Sequence, residues 1–355
     1  MPYAAVSFDD IPGWLSDDVE PAFIAFMMSA STESRTALSP NNRNASVPSN
    51  IAQAARLQSS SARNFFETNF TPHRIAHEAP NGLLTGYFEP IIAGARFRSD
   101  RFPIPLHRRP SDLVNIVAES DRGATEALLT HGRRATTGII EAYATRRDID
   151  QGALNHQNLE LLFVADVVDR FIIQVQGSAA IRLPDGTLTR VNYDGKNGHP
   201  YTSIGRVLIN QGHISAEHMT LATLTQWLKA DLNRAAPIIW HNESYVFFRE
   251  LGVSEGNAPL GVLACPLTPG RSLAVDTRHH GLGLPIFVSA PTLTHVTNGA
   301  PFQRLMIAQD VGSAIKGPER GDIFIGTGPA AGEIAGAIKH PGTFYILLPN
   351  ATLRP

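Results

Sequence analysis

The residues after Leu251 form short apolar runs separated by turn residues, and this pattern constrains the fold more than any other part of the chain. It predicts strands over residues 260–263, 272–276, 285–288, 304–308, 322–325 and 343–348. Short strands at such close intervals are typical of a small barrel or sandwich. The 25 Pro and 29 Gly of the chain also favour a loop-rich β architecture over a helical bundle.

The first 75 residues have a different, mostly helical pattern. Acidic residues at 17–20 precede an apolar run at 22–28, which predicts a helix start. Residues 31–50 are rich in Ser, Asn and Pro and predict a loop. Apolar residues at near-helical spacing predict a second helix over 51–66, and a short strand over 83–90 marks the change to β structure.

The central region mixes strands and helices. The apolar run at 171–176 predicts a strand. Asp185-Gly186 between β-prone runs predicts a hairpin over 180–191. Residues 215–235 predict one helix with Ser215 as its cap.

Composition and charge exclude several classes of protein. A chain of 355 residues predicts about two domains, and 43% hydrophobic residues exclude intrinsic disorder. Thirty basic against thirty-two acidic residues give a net charge of −2, which argues against a general nucleic-acid binder and against an anionic membrane partner. Cys265 is the one cysteine, so no disulfide framework or Cys-based zinc site is expected.

No cofactor or metal motif is expected to function in this chain. Residues 312–317 lack the order of a phosphate-binding loop, and residues 326–332 lack the spacing of a dinucleotide loop. His213 and His218 are five residues apart, off the metalloprotease spacing. The N-terminal segment shows no basic leader region or lipidation Cys, so the sequence predicts either a cytosolic protein or a leader outside this numbering.

Three aspartates mark the β-rich C-terminal region. Asp276 follows a predicted strand, Asp310 follows another, and Asp322 begins a third. Aspartate is a poor strand residue, so the three are either turn caps or members of a site. Small residues beside Asp310 would let a ligand approach the backbone closely, and Lys316 adds a nearby cation.

Specific segments around these aspartates resemble a known family. The segment AQDVGSAIKGPERGDIFIG at 308–326 resembles the core of a three-aspartate (3D) domain, and AVDTRHHGLGLPIFV at 274–288 resembles its first element. With TGYFEP at 85–90 and the motifs over 171–212, the chain resembles the membrane-bound lytic transglycosylase A (MltA) family from about Leu83 to Leu347.

The resemblance implies a mainly β fold with some α-helix. It implies a discontinuous double-psi β-barrel domain with N-terminal helices, formed by residues 1–89 and 251–355. A smaller β-barrel domain, residues 90–250, would be inserted into it, and a groove between the two would hold a glycan strand.

The resemblance also implies an enzyme that cleaves peptidoglycan without water. Such enzymes break the β-1,4 bond between N-acetylmuramic acid and N-acetylglucosamine and leave a 1,6-anhydromuramoyl end. One aspartate acts as acid and then as base, and by the family pattern this is Asp322, with Asp310 as its neighbour in the site. Asp276 is expected to have a structural or supporting role, as a turn cap. Thr85, Gln176 and Ser178 match sugar-contacting positions, and the chemistry of Tyr87 and Lys316 adds them as further substrate-binding residues.

The expected partner is the peptidoglycan strand, with no nucleic acid, no cofactor and no metal. The resemblance implies a monomer in the periplasm or at the inner face of the outer membrane of a Gram-negative bacterium, with a cell-wall synthesis complex as a further partner. Two alternatives stay open: a hydrolase of β-1,4-glycans that uses Asp310 and Asp322 as a pair, and a non-catalytic glycan-binding module.

Overall fold

The computed structural model describes residues 3–36, 48–57, 61–75, 82–116, 129–135, 137–252 and 258–350. The chain forms two compact units. The aspartate unit, which carries the three aspartates, comprises Met1–Tyr87, Leu260–Gly326 and Ala337–Pro355. The inserted unit comprises Phe88–Pro259 and Thr327–Gly336. Within the described ranges, no helix has the length and apolar character needed to cross a bilayer.

The N-terminal part combines helices with strands that the sequence pattern does not predict. In chain order its elements are β1 Tyr3–Ala5, α1 Glu20–Thr36, α2 Ser49–Arg56, α3 Ala62–Asn69, β2 Phe70–Ile75 and β3 Gly82–Glu89. The helix start near residue 20 is confirmed, but α1 continues to Thr36, inside the predicted loop. The single helix over 51–66 is wrong, because Ser61 caps a separate helix by accepting a hydrogen bond from Asn64 N. Strand β2 pairs with β1 and with the C-terminal strand Lys339–Pro349, and these distant partners have no local signature.

The inserted unit is built on two sheets. Its elements are β4 Ile91–Ala95, β5 Ile104–His107, β6 Leu113–Asn115, β7 His131–Arg134, β8 Ile140–Ala142, α4 Arg146–Asp150, β9 Glu160–Val164, α5 Val167–Gln176, β10 Ser178–Arg182, β11 Leu188–Lys196, α6 Ile204–Asn210, α7 Leu221–Lys229, α8 Leu232–Ile239 and β12 Val246–Glu250. One sheet has the strand order β12-β11-β10-β4-β9-β5, and the other has the order β6-β7-β8. The predicted hairpin is confirmed, with Ala180 opposite Arg190 and Gly186 in the left-handed region at φ 86°.

Two predictions in this unit are wrong. Residues 171–176 lie in helix α5, although their side chains favour strands. Asp166 caps this helix by accepting hydrogen bonds from Val168 N and Asp169 N, and Gly177 ends it at φ 80°. These two caps outweigh the strand propensity of the residues between them.

The helix predicted over 215–235 is likewise two helices. Thr220 caps α7, and Asp231 caps α8 by accepting from Asn233 N and Arg234 N. Ser215 caps neither helix, because its hydroxyl lies 2.8 Å from His218 Nδ1. A second N-capping aspartate inside the predicted range thus divides it.

The C-terminal part supplies most of the strands of the aspartate unit. Its elements are β13 Ser272–Val275, β14 Pro285–Ala290, β15 Phe302–Asp310, β16 Arg320–Thr327, α9 Pro329–Gly336, which belongs to the inserted unit, and β17 Lys339–Pro349. All the strands predicted after residue 270 are confirmed. The strand predicted over 260–263 is wrong, because Leu260 forms only an isolated bridge with Pro266 and a turn follows.

The sheet of the aspartate unit is closed. The order β1-β2-β17-β14-β15-β13-β16-β3 is joined by a further pairing of β17 with β3, which places Lys339 opposite Thr85. Six strands therefore form a ring, with β13 and β15 parallel and most of the other described pairs antiparallel. The chain is thus of mixed and strongly β class, while the double-psi crossing stays a prediction.

The core of the aspartate unit lies among these strands and the N-terminal helices. Phe26, Phe66 and Phe70 pack edge to face or tilted against one another, with ring centroids 5.8–5.9 Å apart. Strand residues such as Phe287 and Ile323 are fully buried in the same cluster. Each such side chain contributes about 1.5–3 kcal/mol by leaving water, so the core fixes the strands that carry the aspartates.

Candidate active site

The sheet register places two of the aspartates in one row. Strand β13 lies between β15 and β16, and its Ala274 pairs with Asp310 on one side and with Asp322 on the other. Neighbouring strands are about 4.8 Å apart, so the two aspartate backbones are separated by roughly 10 Å. A row of residues across a sheet shares one face, which directs both carboxyl groups to the same side.

Strand β3, on the other side of β16, supplies a hydroxyl to each aspartate. Thr85 Oγ1 donates to Asp322 Oδ1 at 2.5 Å, and Tyr87 Oη donates to Asp310 Oδ2 at 2.8 Å. Residues i and i+2 of a strand point to the same face, so Thr85 and Tyr87 are spaced to reach both carboxyl groups. These four predicted site residues therefore form one cluster in the aspartate unit.

Asp322 is held in a state that favours its protonated form. The side chain is partly exposed, but the surrounding protein removes water, and this burial raises the pKa of Asp322 above its ordinary value. The hydrogen bond from Thr85 and the positive charge of Arg320 act in the opposite direction. Burial is therefore the main cause of the raised pKa, rather than the neighbouring carboxylate.

Asp310 has more hydrogen-bond donors than Asp322. Its Oδ2 accepts from Tyr87, and its Oδ1 accepts from Val262 N at 3.2 Å. Burial raises the pKa of Asp310 to about 6, hydrogen bonding by Tyr87 and by the backbone of Val311 and Val262 lowers it, and the charge of Asp322 adds a smaller increase. Because both oxygens accept hydrogen bonds, the site suits the ionised form of Asp310 above that pH.

The third aspartate has a different environment. Asp276 is buried and accepts from Arg278 Nη2 at 2.6 Å and from Gly317 N at 2.8 Å. Burial alone would raise the pKa of Asp276, but these donors outweigh it and hold the pKa below its ordinary value. Asp276 therefore links the turn after β13 to the segment between β15 and β16. Lys316, in that segment, is exposed.

The remaining predicted residues lie in the inserted unit. Gln176 is the last residue of α5, and its Oε1 accepts from Phe88 N at 3.1 Å. Ser178 begins β10 and is buried, opposite Asn192 in the hairpin. Gly177 between them is the left-handed residue that turns the chain from helix into strand.

Sequence reasoning missed Arg320. Its Nη2 donates to Thr85 Oγ1 at 2.8 Å, so it is one hydrogen bond away from Asp322. The sequence predicts that Asp322 begins its strand, whereas β16 begins at Arg320, which puts the two side chains on the same face. A longer strand assignment over RGDIFIGT would have revealed this cation.

The described residues offer no ready-made metal centre. No group of three or more His, Cys, Asp or Glu side chains in the described part of the chain is placed to hold an ion. His280 is buried with its Nε2 2.6 Å from the carbonyl oxygen of Pro318, and burial lowers its pKa to about 4.

Comparison with known proteins gives the family. The MltA specific insert domain matches residues 83–249, and the 3D domain matches residues 271–348. A crystal structure of a membrane-bound lytic murein transglycosylase from Agrobacterium tumefaciens is similar over 98% of both chains, with 38% identity and a TM-score of 0.87. The chain belongs to the MltA family.

Other MltA proteins show how far the likeness extends. The membrane-bound lytic murein transglycosylase A of Vibrio cholerae is 33% identical over 271 residues, which are 75% of this chain and 65% of that protein. The chain thus spans less than two thirds of the length of this relative. A crystal structure of Escherichia coli MltA with bound chitohexaose has 27% identity and a TM-score of 0.71, and it covers 99% of this chain and 95% of that one.

Proposed function

We propose that this MltA-family chain is a lytic transglycosylase that cleaves the β-1,4 bond between N-acetylmuramic acid and N-acetylglucosamine in peptidoglycan. The product would carry a 1,6-anhydromuramoyl end. The observation that supports this best is the pair of half-buried aspartates with raised pKa, each bound by a hydroxyl of strand β3. Relatives named as lytic murein transglycosylases support the substrate class.

Asp322 is the proposed acid and base. Burial raises the pKa of Asp322 and so favours its protonated form, which can deliver the proton to the glycosidic oxygen as the bond to C1 breaks. The resulting carboxylate then removes the proton of the muramoyl C6 hydroxyl, whose oxygen attacks C1. Because attacker and target belong to one sugar, the enzyme gains the advantage of an intramolecular reaction and needs no second nucleophilic carboxylate.

Asp310 is the proposed electrostatic partner. With two donors on its oxygens it is ionised above about pH 6, and a fixed negative charge stabilises the positive charge that develops at C1. Tyr87 holds this carboxylate and rests on Phe324, with ring centroids 5.4 Å apart. The two aspartates thus have separate tasks, set by their hydrogen bonds.

Residues outside this pair are proposed to hold the sugar. The Gln176 carbonyl oxygen accepts from Phe88 N, so its amide nitrogen is the group that would donate to an N-acetyl oxygen. Ser178 and the exposed Lys316 would add further polar contacts. Chitohexaose, which is bound in an Escherichia coli MltA structure, is a suitable probe for these contacts.

The proposal extends to organisation and location. Catalysis would belong to the discontinuous domain of residues 1–89 and 251–355, and glycan binding would involve the inserted domain of residues 90–250. The protein would act as a monomer, without a cofactor, in the periplasm or at the inner face of the outer membrane of a Gram-negative bacterium. A cell-wall synthesis complex is the proposed protein partner.

Mass spectrometry of purified sacculi after digestion tests the activity. Asp322→Asn keeps the shape of the side chain but cannot deliver a proton, so we expect release of anhydromuropeptides to fall by about 10²–10⁴-fold, the range for loss of general acid catalysis. Asp100→Asn, at an exposed aspartate of the inserted unit, is the matched control and should retain full activity.

Each alternative gives a distinct result. Products with a reducing end, heavier by one water, would indicate a hydrolase that uses the aspartate pair. Binding of chitohexaose without any release of muropeptides would indicate a binding module. Near wild-type release by Asp322→Asn would contradict the role of Asp322.

A further inference from the structure

Arg320 sits beside the proposed acid but does not touch it. The guanidinium is partly buried, and besides Thr85 Oγ1 it donates from Nη1 to the carbonyl oxygen of Gly321 at 2.5 Å. A second contact from Nη1 reaches the carbonyl oxygen of Leu83 at 3.4 Å. The cation is therefore fixed between strands β3 and β16, with one nitrogen directed at the hydroxyl that binds Asp322.

The donor and acceptor groups of Arg320, Thr85 and Asp322 fix the direction of the hydrogen bonds between them. A guanidinium can only donate, whereas a threonine hydroxyl has one hydrogen and two lone pairs. Since Thr85 Oγ1 accepts from Arg320, its single hydrogen is left to donate to Asp322 Oδ1. Oδ1 is then an acceptor whether Asp322 is ionised or neutral. Because the carbonyl oxygen of a neutral carboxyl group accepts more strongly than its hydroxyl oxygen, this hydrogen bond favours the acid proton on Oδ2.

We propose that Arg320 is a positioning residue that acts through Thr85 and restricts the transferable proton of Asp322 to Oδ2. This inference rests on the proposed function and deepens it. The Oδ2 proton passes to the glycosidic oxygen as its bond to C1 breaks, and the C6 hydroxyl proton returns to Oδ2 as the new C1 to O6 bond forms. Proton loss and proton gain thus occur at one oxygen, with the same orientation of the carboxyl group.

Asp310 offers a contrast within the same row of the sheet. Both of its oxygens accept hydrogen bonds, from Tyr87 and from Val262 N, so neither is reserved for a proton. In Asp322, Thr85 donates to Oδ1, Oδ2 accepts no hydrogen bond from the described residues, and a cation sets the direction of the Thr85 hydrogen bond. The difference in hydrogen bonding therefore assigns the proton shuttle to Asp322 and the carboxylate to Asp310.

The charges around Asp322 predict how its titration responds. Arg320 lies on its own strand, Tyr87 on β3 and Asp310 on β15 across β13. Arg320 favours the ionised form of Asp322, and so does the hydrogen bond from Thr85. Removal of either group should raise the pKa of Asp322 and move the basic limb of the pH–rate profile to higher pH.

The test compares Arg320→Met, Arg320→Lys, Thr85→Val and Thr85→Ser by kcat, KM and pH–rate profile on purified sacculi. We expect Arg320→Met and Thr85→Val to lower kcat by roughly 10–100-fold, the usual worth of a hydrogen bond to a charged group, with little change in KM. Arg320→Lys and Thr85→Ser should recover most of the rate. Arg74→Met, at an exposed arginine of β2, is the control and should match the wild type.

The loss of kcat in the double variant shows whether Arg320 acts through Thr85. Because Arg320 acts through Thr85, the double variant Arg320→Met/Thr85→Val should be no slower than the slower single variant. Losses in kcat that multiply in the double variant would overturn the proposal. So would a pH–rate profile whose basic limb is unchanged in both single variants. A merely structural role would lower the melting temperature without moving that limb.

A second measurement does not depend on activity. The carboxyl carbon shift of Asp322, followed by NMR against pH, should give a higher pKa in Arg320→Met and in Thr85→Val than in the wild type, and an unchanged value in Arg74→Met. An unchanged pKa in Thr85→Val, whose side chain keeps the same shape, would refute the inference even if Arg320→Met does not fold. If the wild type releases no anhydromuropeptides, the proposed function fails while this titration still decides the hydrogen-bond arrangement.

Discussion

At the scale of single residues, the three aspartates look alike in sequence and differ through their donors. Asp276 has Arg278 and Gly317, Asp310 has Tyr87 and Val262, and Asp322 has Thr85. Only the folded chain brings these donors together, because most of them lie more than 40 residues away. The donor set, rather than the aspartate itself, is therefore the basis on which we propose a structural role for Asp276 and the acid role for Asp322.

The ionised carboxylate of Asp310 should reduce the stability of the folded protein at neutral pH. Burial raises its folded pKa from 3.8 to about 6, so folding favours the protonated form, and the stability that this confers is complete below pH 3.8 and lost as the pH rises through 6. Asp310→Asn, which cannot ionise, should therefore gain in melting temperature relative to the wild type at pH 8 and gain little at pH 4. Thermal unfolding at both pH values checks this. An equal shift at the two pH values would show that the charge of Asp310 is not the cause.

Asp276 should have the opposite effect on stability. Its folded pKa is lowered, so its contribution is present above the unfolded pKa and is lost as the pH falls through the folded pKa. Asp276→Asn should lower the free energy of unfolding at pH 7 by about 1–3 kcal/mol, the range for hydrogen bonds to a charged group, with a smaller effect on turnover. Denaturant unfolding at pH 7 and pH 3.5 measures the difference. A loss of turnover without a loss of stability would place Asp276 in the chemistry instead.

At the scale of elements, the sequence predicts strands better than it predicts the limits of helices. Strands β13 to β17 are predictable because each is an apolar run between turn residues, and turn chemistry acts locally. The prediction of a strand over 171–176 is wrong because these residues belong to helix α5. The limits of that helix are set by Asp166 and Gly177, which lie outside the apolar run. The sequence does not predict strands β1 and β2 for another reason, because these segments become strands by pairing with distant partners.

Asp166 provides a direct test of the capping argument for α5. Asp166→Ala removes the acceptor for Val168 N and Asp169 N and should lower the free energy of unfolding by about 1 kcal/mol. Asp166→Asn retains a capping oxygen and should be close to wild type. Denaturant unfolding of the two variants provides the comparison. Equal losses in both would indicate that the ion pair of Asp166 with Lys229, at 3.3 Å, matters more than the cap.

At the scale of the whole molecule, the site depends on a ring of strands that no local pattern encodes. The sequence motifs identify Asp310, Asp322, Thr85 and Tyr87, which the fold brings into one cluster. They do not identify Arg320, because its hydrogen bond to Thr85 forms only when β3 and β16 are neighbours in the sheet. Sequence thus predicts candidate site residues that carry a distinctive motif, and misses residues that reach the site only through strand pairing.

We expect the protein to work without a metal ion. The proposed reaction moves one proton to and from Asp322, and the positive charge of Arg320 lowers the pKa of that residue. We therefore expect the rate of release of anhydromuropeptides from sacculi to be unchanged by EDTA in excess over the enzyme. A hydrolytic muramidase acting on the same sacculi in the same buffer controls for effects of the chelator on the substrate. Loss of activity in EDTA that returns on addition of a divalent cation would require a metal-assisted mechanism, and it would displace Arg320 as the cation that tunes the acid.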